Sequence, residues 1–462
     1  MRFVDRSEEL KLLTTEYKRQ TSSMVIIYGR RRVGKTALIR EFIKDKSAIY
    51  FCATEEPEAM NRLAFQNLAA GFLRNDLLSQ AVLSRWDPVF EQIRIASQKE
   101  RIVVVIDEFQ YLGKSNPAFL SVLQRVWDLI LQDSNVMLIL CGSLVSMMTE
   151  QTLSRSSPLY GRRTAQIHLR PVAFFNYHEF FDTHFSEREL IDRYSITGGV
   201  PKYIEMFSEN QDLWEAVYKS VLVPSGYLFE EPEFLLHDEV SETGSYFSIL
   251  RVIAAGNHKL SNIATALQQK QTSLPRYFNM LIDLDILLRE VPVTESNPAK
   301  SKKGLYQIKD NFIRFWFNFV YPYRSYIEIG HPEVVHNALD SGFIDNHVSF
   351  VYEQICQKKL WELSAKGVFS CALERIGRWW DSCHKIDVVG LSEKGHLLVL
   401  GECKFWSGRV GINVLSALEE KARFVKWHNE DRRIIYVIFS INGFSDDLRA
   451  LSGIRKDLLL YS

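Results

Sequence analysis

Four short apolar runs rich in β-branched residues punctuate the first third of the chain: 24–28 (MVIIY), 48–52 (AIYFC), 102–106 (IVVVI) and 136–141 (VMLILC). Each is continuous rather than alternating, and longer stretches of helical period separate them. Strands buried on both faces read this way, so the pattern predicts a parallel sheet with crossover helices. Residues 164–169 (TAQIHL) can supply a further strand and 188–208 reads as helical, which extends this α/β domain over 1–210. A helical linker over 211–240, with a hinge near 224–232, is expected to follow.

From Ser245 the period becomes that of short helices, in SYFSILRVIAAG, LSNIATALQQ and SLPRYFNMLIDLDILLRE. With turns at 256–259 and 270–272 these read as a helix-turn-helix, and 291–308 as two strands around a polar loop, which would be a wing. This domain spans 241–330. The aromatic run 312–322 (FIRFWFNFVYP) reads as a packing helix, too short to span a bilayer. Residues 342–462 alternate again: a helix over 348–363, strands over 386–392 and 396–404, a helix over 415–428 and a strand over 433–439. That order predicts a second α/β domain.

Length agrees with this division, since 462 residues at roughly 150 per domain give about three. An apolar fraction of 46% and a charged fraction of 24% exclude wholesale disorder. Lys plus Arg and Asp plus Glu are both 56, so a nucleic-acid partner would have to be met by a local basic surface. The six cysteines show neither CxxC nor zinc-type spacing and read as reduced thiols. The first ten residues lack the basic start and apolar core of an export signal, and no apolar run approaches the roughly 18 residues of a membrane helix. The expectation is a cytoplasmic protein without a membrane partner.

Between the first strand and a helix expected over 37–44 stands Gly29-Arg30-Arg31-Arg32-Val33-Gly34-Lys35-Thr36, a GxxxxGK[ST] loop. Glycines at 29 and 34 let the backbone wrap around phosphates, and the N–H groups at the helix start point at the anion. Gly29, Arg32, Val33, Gly34, Lys35 and Thr36 are therefore candidate nucleotide-binding residues, with Lys35 on the β- and γ-phosphates and the Thr36 hydroxyl on Mg²⁺. Strand 102–106 runs into Asp107, placed to hold the Mg²⁺ hydration shell, and Glu108, placed to orient or deprotonate the attacking water. Strand 136–141 delivers Ser143 to the same edge, where it could contact the γ-phosphate. Arg162 and Arg163 are candidates for neutralising transition-state charge, in the same chain or on a neighbour. Action on a neighbour would make the protein a homo-oligomer.

These features resemble the AAA-like P-loop ATPases with a catalytic glutamate, and more narrowly the archaeal-type ATPases. The narrower resemblance rests on FVDRSEELKLL, GRRRVGKT, IDEFQYL, LCGS, LYGRR and GGVPKYI, and covers about 1–210. It implies ATP as the nucleotide, with Lys35, Thr36, Asp107 and Glu108 in the roles above.

In the third short helix Leu274, Phe278, Leu281 and Leu284 share one face, leaving Arg276 and Tyr277 to point outward, toward a major groove if DNA is bound. Lys300, Lys302 and Lys303 would carry charge on the wing tip. Asp283 and Asp285 on the same stretch weaken a DNA face, so packing between domains stands beside DNA binding as a reading.

In the last domain Asp387 lies on one strand and Glu402-Cys403-Lys404 ends the next. Alternation sets Glu402 and Lys404 on one face, and a hairpin could bring Asp387 beside them. Two carboxylates there would bind Mg²⁺ or Mn²⁺, with the lysine activating water or steadying charge at phosphorus. The pattern resembles the PD-(D/E)xK nuclease superfamily, and its placement resembles the C-terminal extension, of the DUF234 type, found in this ATPase family. That resemblance implies a restriction-endonuclease-like fold, nucleic-acid cleavage, and Glu353 as a further metal ligand; the proline common before the first Asp is missing. The sequence thus reads as an α/β protein: a P-loop NTPase domain, a winged helix-turn-helix and a nuclease-like domain. Its expected function is ATP hydrolysis coupled to DNA binding and metal-dependent cleavage, the alternative being an ATP-driven switch with a non-catalytic C-terminal fold.

Overall fold

The computed structural model describes residues 2–207, 212–240 and 242–462; positions 1, 208, 211 and 241, at which expected spans begin or end, lie outside them. The chain forms two compact units, one of residues 1–180, 199–206 and 234–241, the other of 181–198, 207–233 and 242–462.

The first unit is built on five parallel strands, β1 (Ser23–Tyr28), β2 (Ala48–Cys52), β3 (Ile102–Asp107), β4 (Val136–Gly142) and β5 (Ala165–His168), in the order β2-β3-β4-β1-β5. Side chains alternate between two cores. Ile26, Val104 and Leu138 face Phe65, Trp86, Phe90 and Phe119, while Ile27, Val105 and Ile139 face Leu13, Leu38 and Ile39. Burial on both faces is what continuous apolar runs require. Register pairs Tyr28 with Gly142 and Cys52 with Asp107, so the strands end level along one edge. At the other edge Arg101 ties the strand starts together, donating to the carbonyls of Glu16, Arg19 and Thr21 and to Ser23 Oγ.

One expectation fails at the end of this unit. Instead of one helix over 188–208 there are two, Glu187–Thr197 and Pro201–Met206, in different units. Gly198 and Gly199 between them have φ of 60° and 73°, a left-handed turn that ends a helix at no steric cost.

In the second unit three helices, Thr243–Ala254, Leu260–Ala266 and Pro275–Asp283, precede an antiparallel pair, β6 (Leu287–Glu290) and β7 (Leu305–Ile308). The first strand comes earlier than the expected 291–308, because Asp285 takes φ 58° and stops the third helix before Ile286. Tyr277 corrects another expectation. It is buried, edge-on to Tyr246, with its hydroxyl donating to Glu242, so only Arg276 of the pair points outward. The loop after β6 is packed rather than free: Val293 N–H donates to Arg378 O, and Arg375 donates to the carbonyls of Val293 and Glu295.

The unit's larger sheet has the order β12-β11-β10-β9-β8, made of β8 (Arg375–Trp380), β9 (Lys385–Ser392), β10 (Leu397–Lys404), β11 (Arg433–Ser440) and β12 (Leu458–Tyr461). Strands β8, β9 and β10 are antiparallel neighbours, and β10, β11 and β12 run parallel. Leu398, Leu400 and Ile438 pack under Leu415 and Leu418 of helix Ile412–Ala422. Helix Ser349–Ala365 packs on the sheet close to Gly390, where a Cβ would stand 3.3 Å from Leu360.

His347 is wholly buried among Phe315, Phe319 and Phe343, its Nε2 2.7 Å from Ser195 O. Burial pushes this imidazole down to about 3. The unfolded chain binds its proton near 6.5, so stability is complete above that pH and falls as pH drops toward 3, by at most about 1.4 kcal/mol per unit from this group. Urea unfolding between pH 7 and 4 is expected to show this loss, and His347→Gln to reduce the slope.

Candidate functional site

Level strand ends bring together segments far apart in sequence. The loop leaving β1 crosses the end of β5 so closely that a Cβ on Gly29 would meet Leu169 O at 2.3 Å; only glycine fits. Arg32 and Gly34 take φ of 71° and 97°, which turns successive backbone N–H groups into a concave nest at the start of helix Lys35–Ile43. Val33 turns its side chain into the core, leaving its backbone to the loop. Arg6 braces the loop from behind: its buried guanidinium, held below its ordinary range by burial, donates to Val33 O at 3.1 Å and Arg170 O at 2.8 Å.

Lys35 lies within this nest, its Nζ donating to Gly29 O at 2.7 Å and Arg30 O at 3.0 Å. Burial lowers its pKa, opposed by the charges of Glu108, Asp107 and Glu239 nearby. Thr36 Oγ1 donates to Asp107 Oδ2 at 3.2 Å, and the Tyr50 hydroxyl donates to the same oxygen. A hydroxyl against a carboxylate at the mouth of a phosphate-type loop is a donor set that fits Mg²⁺. Glu108 sits in the left-handed region at φ 50°, and its Oε2 accepts from Ser143 Oγ at 2.7 Å and Gln110 Nε2 at 2.6 Å. The structure therefore gathers Gly29, Lys35, Thr36, Asp107, Glu108 and Ser143 at one edge.

Arg162 is placed elsewhere. It precedes β5, so parallel strands put it at the starting edge of the sheet, where Nε and Nη2 hold Asp128 at 2.8 and 2.7 Å. The hydrogen-bonded pairing with Asp128 raises its pKa. It is not part of its own chain's loop site.

Two carboxylates that the sequence reading missed approach the loop from segment 234–241. Asp238 pairs with Arg31, and Glu239 accepts from the N–H groups of Val145 and Ser146 at 3.1 and 3.4 Å, just past Ser143. Burial raises the Glu239 pKa. More than a hundred residues separate these groups from the loop in sequence, and no local motif marks them. Tyr50, which alternates within an apolar strand, was equally silent.

The C-terminal cluster differs from its expected form. Paired residues of β9 and β10 end at Val388 and Gly401; beyond them Asp387 Oδ2 accepts from the Cys403 N–H at 3.2 Å. Asp387 and Glu402 are buried, at 7% and 4% exposure. Lys404 Nζ donates to Glu402 at 2.8 Å, and Lys421 reaches the other oxygen at 2.5 Å. Glu353, on helix Ser349–Ala365, pairs with Arg378 and, at 3.1 Å, with Lys385, which also lies 3.2 Å from Asp387. Burial raises the Glu353 carboxyl, as does the Asp387 charge. For Asp387 burial acts upward but is outweighed by Lys385 and Lys404, so it stays below its ordinary range. Arg378 also holds Glu290 of β6 at 3.2 Å, and a cavity of about 550 Å³ opens beside Glu353, Arg378 and Lys385. Among the described residues Glu353, Asp387 and Glu402 do not form a ligand trio, since no choice of one carboxylate oxygen from each puts all three within 4.8 Å of one another. Lysine and arginine occupy the spaces between, so the arrangement as it stands does not fit a divalent ion.

Residues 3–207 match a family described as an ATPase domain predominantly from Archaea, and 316–433 match one described as archaeal and bacterial proteins of unknown function. An uncharacterized protein of Methanocaldococcus jannaschii is 34% identical over 403 residues, 87% of this chain and 87% of its own. An uncharacterized ATP-binding protein of the same organism is 45% identical over 53 residues, 11% of this chain and 90% of its own. Among solved structures, a Walker-type ATPase of Pyrococcus abyssi shares the fold, with a TM-score of 0.53 at 20% identity over 68% of this chain and 96% of that one.

Removing the Arg6 brace leaves two carbonyls without their donor. Arg6→Ala is expected to cost about 1–3 kcal/mol of stability and to weaken ATP binding about tenfold, as checked by chemical unfolding and by nucleotide titration.

Proposed function

The chain belongs to the archaeal-type ATPase family, in the group whose ATPase domain is followed by the C-terminal region of unknown function, and from that premise we propose an ATP-hydrolysing protein whose nucleotide state governs nucleic-acid binding. One observation carries the ATP reading. Lys35 is a buried ammonium held by two carbonyls, and no carboxylate pairs with it among the described residues. A buried cation in a nest of N–H groups is matched by a polyphosphate.

In this reading Gly29 to Thr36 wrap the phosphates, Lys35 turns from its own loop to the β- and γ-phosphates, and Thr36 and Asp107 hold Mg²⁺. The metal supplies neutralisation of charge on the phosphoryl oxygens. Glu108 orients the attacking water and accepts its proton once Ser143 releases the carboxylate. Arg162, paired at the opposite edge of the sheet, can serve only a neighbouring copy, which ties that role to a homo-oligomer.

The four-part division into 1–210, 211–240, 241–330 and 342–462 remains our functional reading. The three helices and hairpin of 241–330 are read as a winged helix-turn-helix, offering DNA the outward Arg276 and the exposed tip lysines. Residues 342–462 are read as a PD-(D/E)xK-like module in which Asp387 and Glu402, with Glu353, would be the carboxylates to hold Mg²⁺ or Mn²⁺ for nucleic-acid cleavage, and Lys404 the lysine to steady charge at phosphorus; this requires Lys385 to leave its place between Glu353 and Asp387. A second reading, an ATP-driven switch with a non-cutting module, is favoured by Lys385, which lies between Glu353 and Asp387 in place of a metal.

Two experiments separate these statements. Lys35→Ala is expected to abolish ATP binding, and Glu108→Gln to retain binding while lowering the hydrolysis rate about 10²-fold or more; hydrolysis surviving both would remove the assigned site. Plasmid and single-stranded DNA are then offered with Mg²⁺ or Mn²⁺, with and without ATP, to wild type, Asp387→Ala and Lys404→Ala. Cleavage lost in both variants supports the nuclease, whereas no cleavage by protein that hydrolyses ATP leaves the switch.

A further inference from the structure

The far end of the C-terminal sheet carries another group of potential ligands. His396 closes the turn between β9 and β10, and His428 and Asp431 lie in the connection from helix Ile412–Ala422 to β11. His396 Nδ1 stands 2.6 Å from Asp431 Oδ2, and His428 Nε2 stands 3.1 Å from Glu393 Oε2. The two imidazoles are stacked with centroids 4.5 Å apart. One donor atom from each of His396, His428 and Asp431 lies within 4.8 Å of the others, and no other such trio occurs among the described residues.

Backbone conformation singles out the same residues. His396 and His428 have φ of 43° and 41°, in the left-handed region that side chains with a Cβ disfavour. Both histidines thus sit at left-handed turn positions, in two connections joined by the Arg433 N–H to His396 O bond of 2.8 Å, and the stacked rings need to splay for their nitrogens to share an ion.

We propose that His396, His428 and Asp431 form a binding site for a divalent transition metal, with Zn²⁺ the best match. Imidazole nitrogen and carboxylate oxygen suit Zn²⁺ and are poor ligands, as a mixed set, for Mg²⁺. Tetrahedral donors at about 2.0–2.1 Å from zinc stand about 3.3 Å apart. His396 and Asp431 need to separate by only about 0.7 Å from their hydrogen bond to reach that spacing. The ion replaces the proton they share, and Glu393 or water completes the coordination. His396 stands six positions before Glu402, about 20 Å along the direction of β10, so this site is distinct from the carboxylate cluster. Its effect is to clamp the β9–β10 turn to the connection entering β11.

The test uses the full chain, stripped with a chelator, free of Mg²⁺ and nucleotide, and titrated with Zn²⁺ alone by calorimetry and thermal unfolding. One tight equivalent and a rise in Tm are expected. His428→Asn, chosen because asparagine tolerates the left-handed backbone, and Asp431→Asn, at an exposed position, are each expected to weaken binding about tenfold or more. Circular dichroism of Asp431→Asn guards against misfolding as the cause. Asp387→Asn combined with Glu402→Gln is expected to keep the equivalent. No zinc-dependent heat or Tm shift in wild type overturns the proposal. So does an equivalent that persists undiminished in both His428→Asn and Asp431→Asn, or that is lost with an Asp387→Asn/Glu402→Gln pair whose circular dichroism is that of wild type.

Discussion

Parallel alignment of β1, β3 and β4 is the constraint on which the nucleotide site depends. Because the three strands run the same way and end level, the loop after Tyr28, the acidic pair at Asp107 and Glu108, and the turn at Ser143 meet at one edge although long crossovers separate them. The same alignment removes Arg162 from that edge, since a residue preceding a parallel strand lies at its start. Burial on both faces makes the sheet rigid, so the loop geometry at Gly29, against Leu169 O, is set by the packing of β1 on β5.

The second unit is organised by buried charge. Arg378 joins Glu290 of β6 to Glu353 on the long helix, Lys385 joins Glu353 to Asp387, and Lys404 and Lys421 converge on Glu402. Desolvated ions persist only when paired, and breaking one pair strands its partner in a low-dielectric interior. The position of Asp387 is thereby tied to the β6–β7 hairpin through Lys385, Glu353 and Arg378, a link carried by side chains rather than by chain connectivity.

Much of this was legible from pattern and motif. Strands β1 to β4 fall within a residue of the four apolar runs, because burial on both faces of β1, β3 and β4 leaves an unbroken hydrophobic signal, whereas β5 lies in the mixed TAQIHL stretch. FVDRSEELKLL and GRRRVGKT pointed to the archaeal-type ATPases, and the family matches agree. Elements with mixed signals were missed: β8, RIGRWW, interleaves arginine and glycine with its tryptophans, and β12 is a short edge strand at the chain's end. The break at Gly198–Gly199 and the early start of β6 both turn on single left-handed residues, which periodicity averages away.

Local interactions therefore let the sequence determine the strand runs, the phosphate-type loop and the family, each being written in consecutive residues whose spacing follows backbone geometry. Partnership between distant groups was decided only by tertiary structure: Glu239 on the Val145 and Ser146 N–H groups, Tyr277 turned inward onto Glu242, Arg162 paired with Asp128, and Lys385 set between Glu353 and Asp387. A side chain's partner depends on which surfaces the packed elements bring together, and that information is absent from any local stretch of the chain.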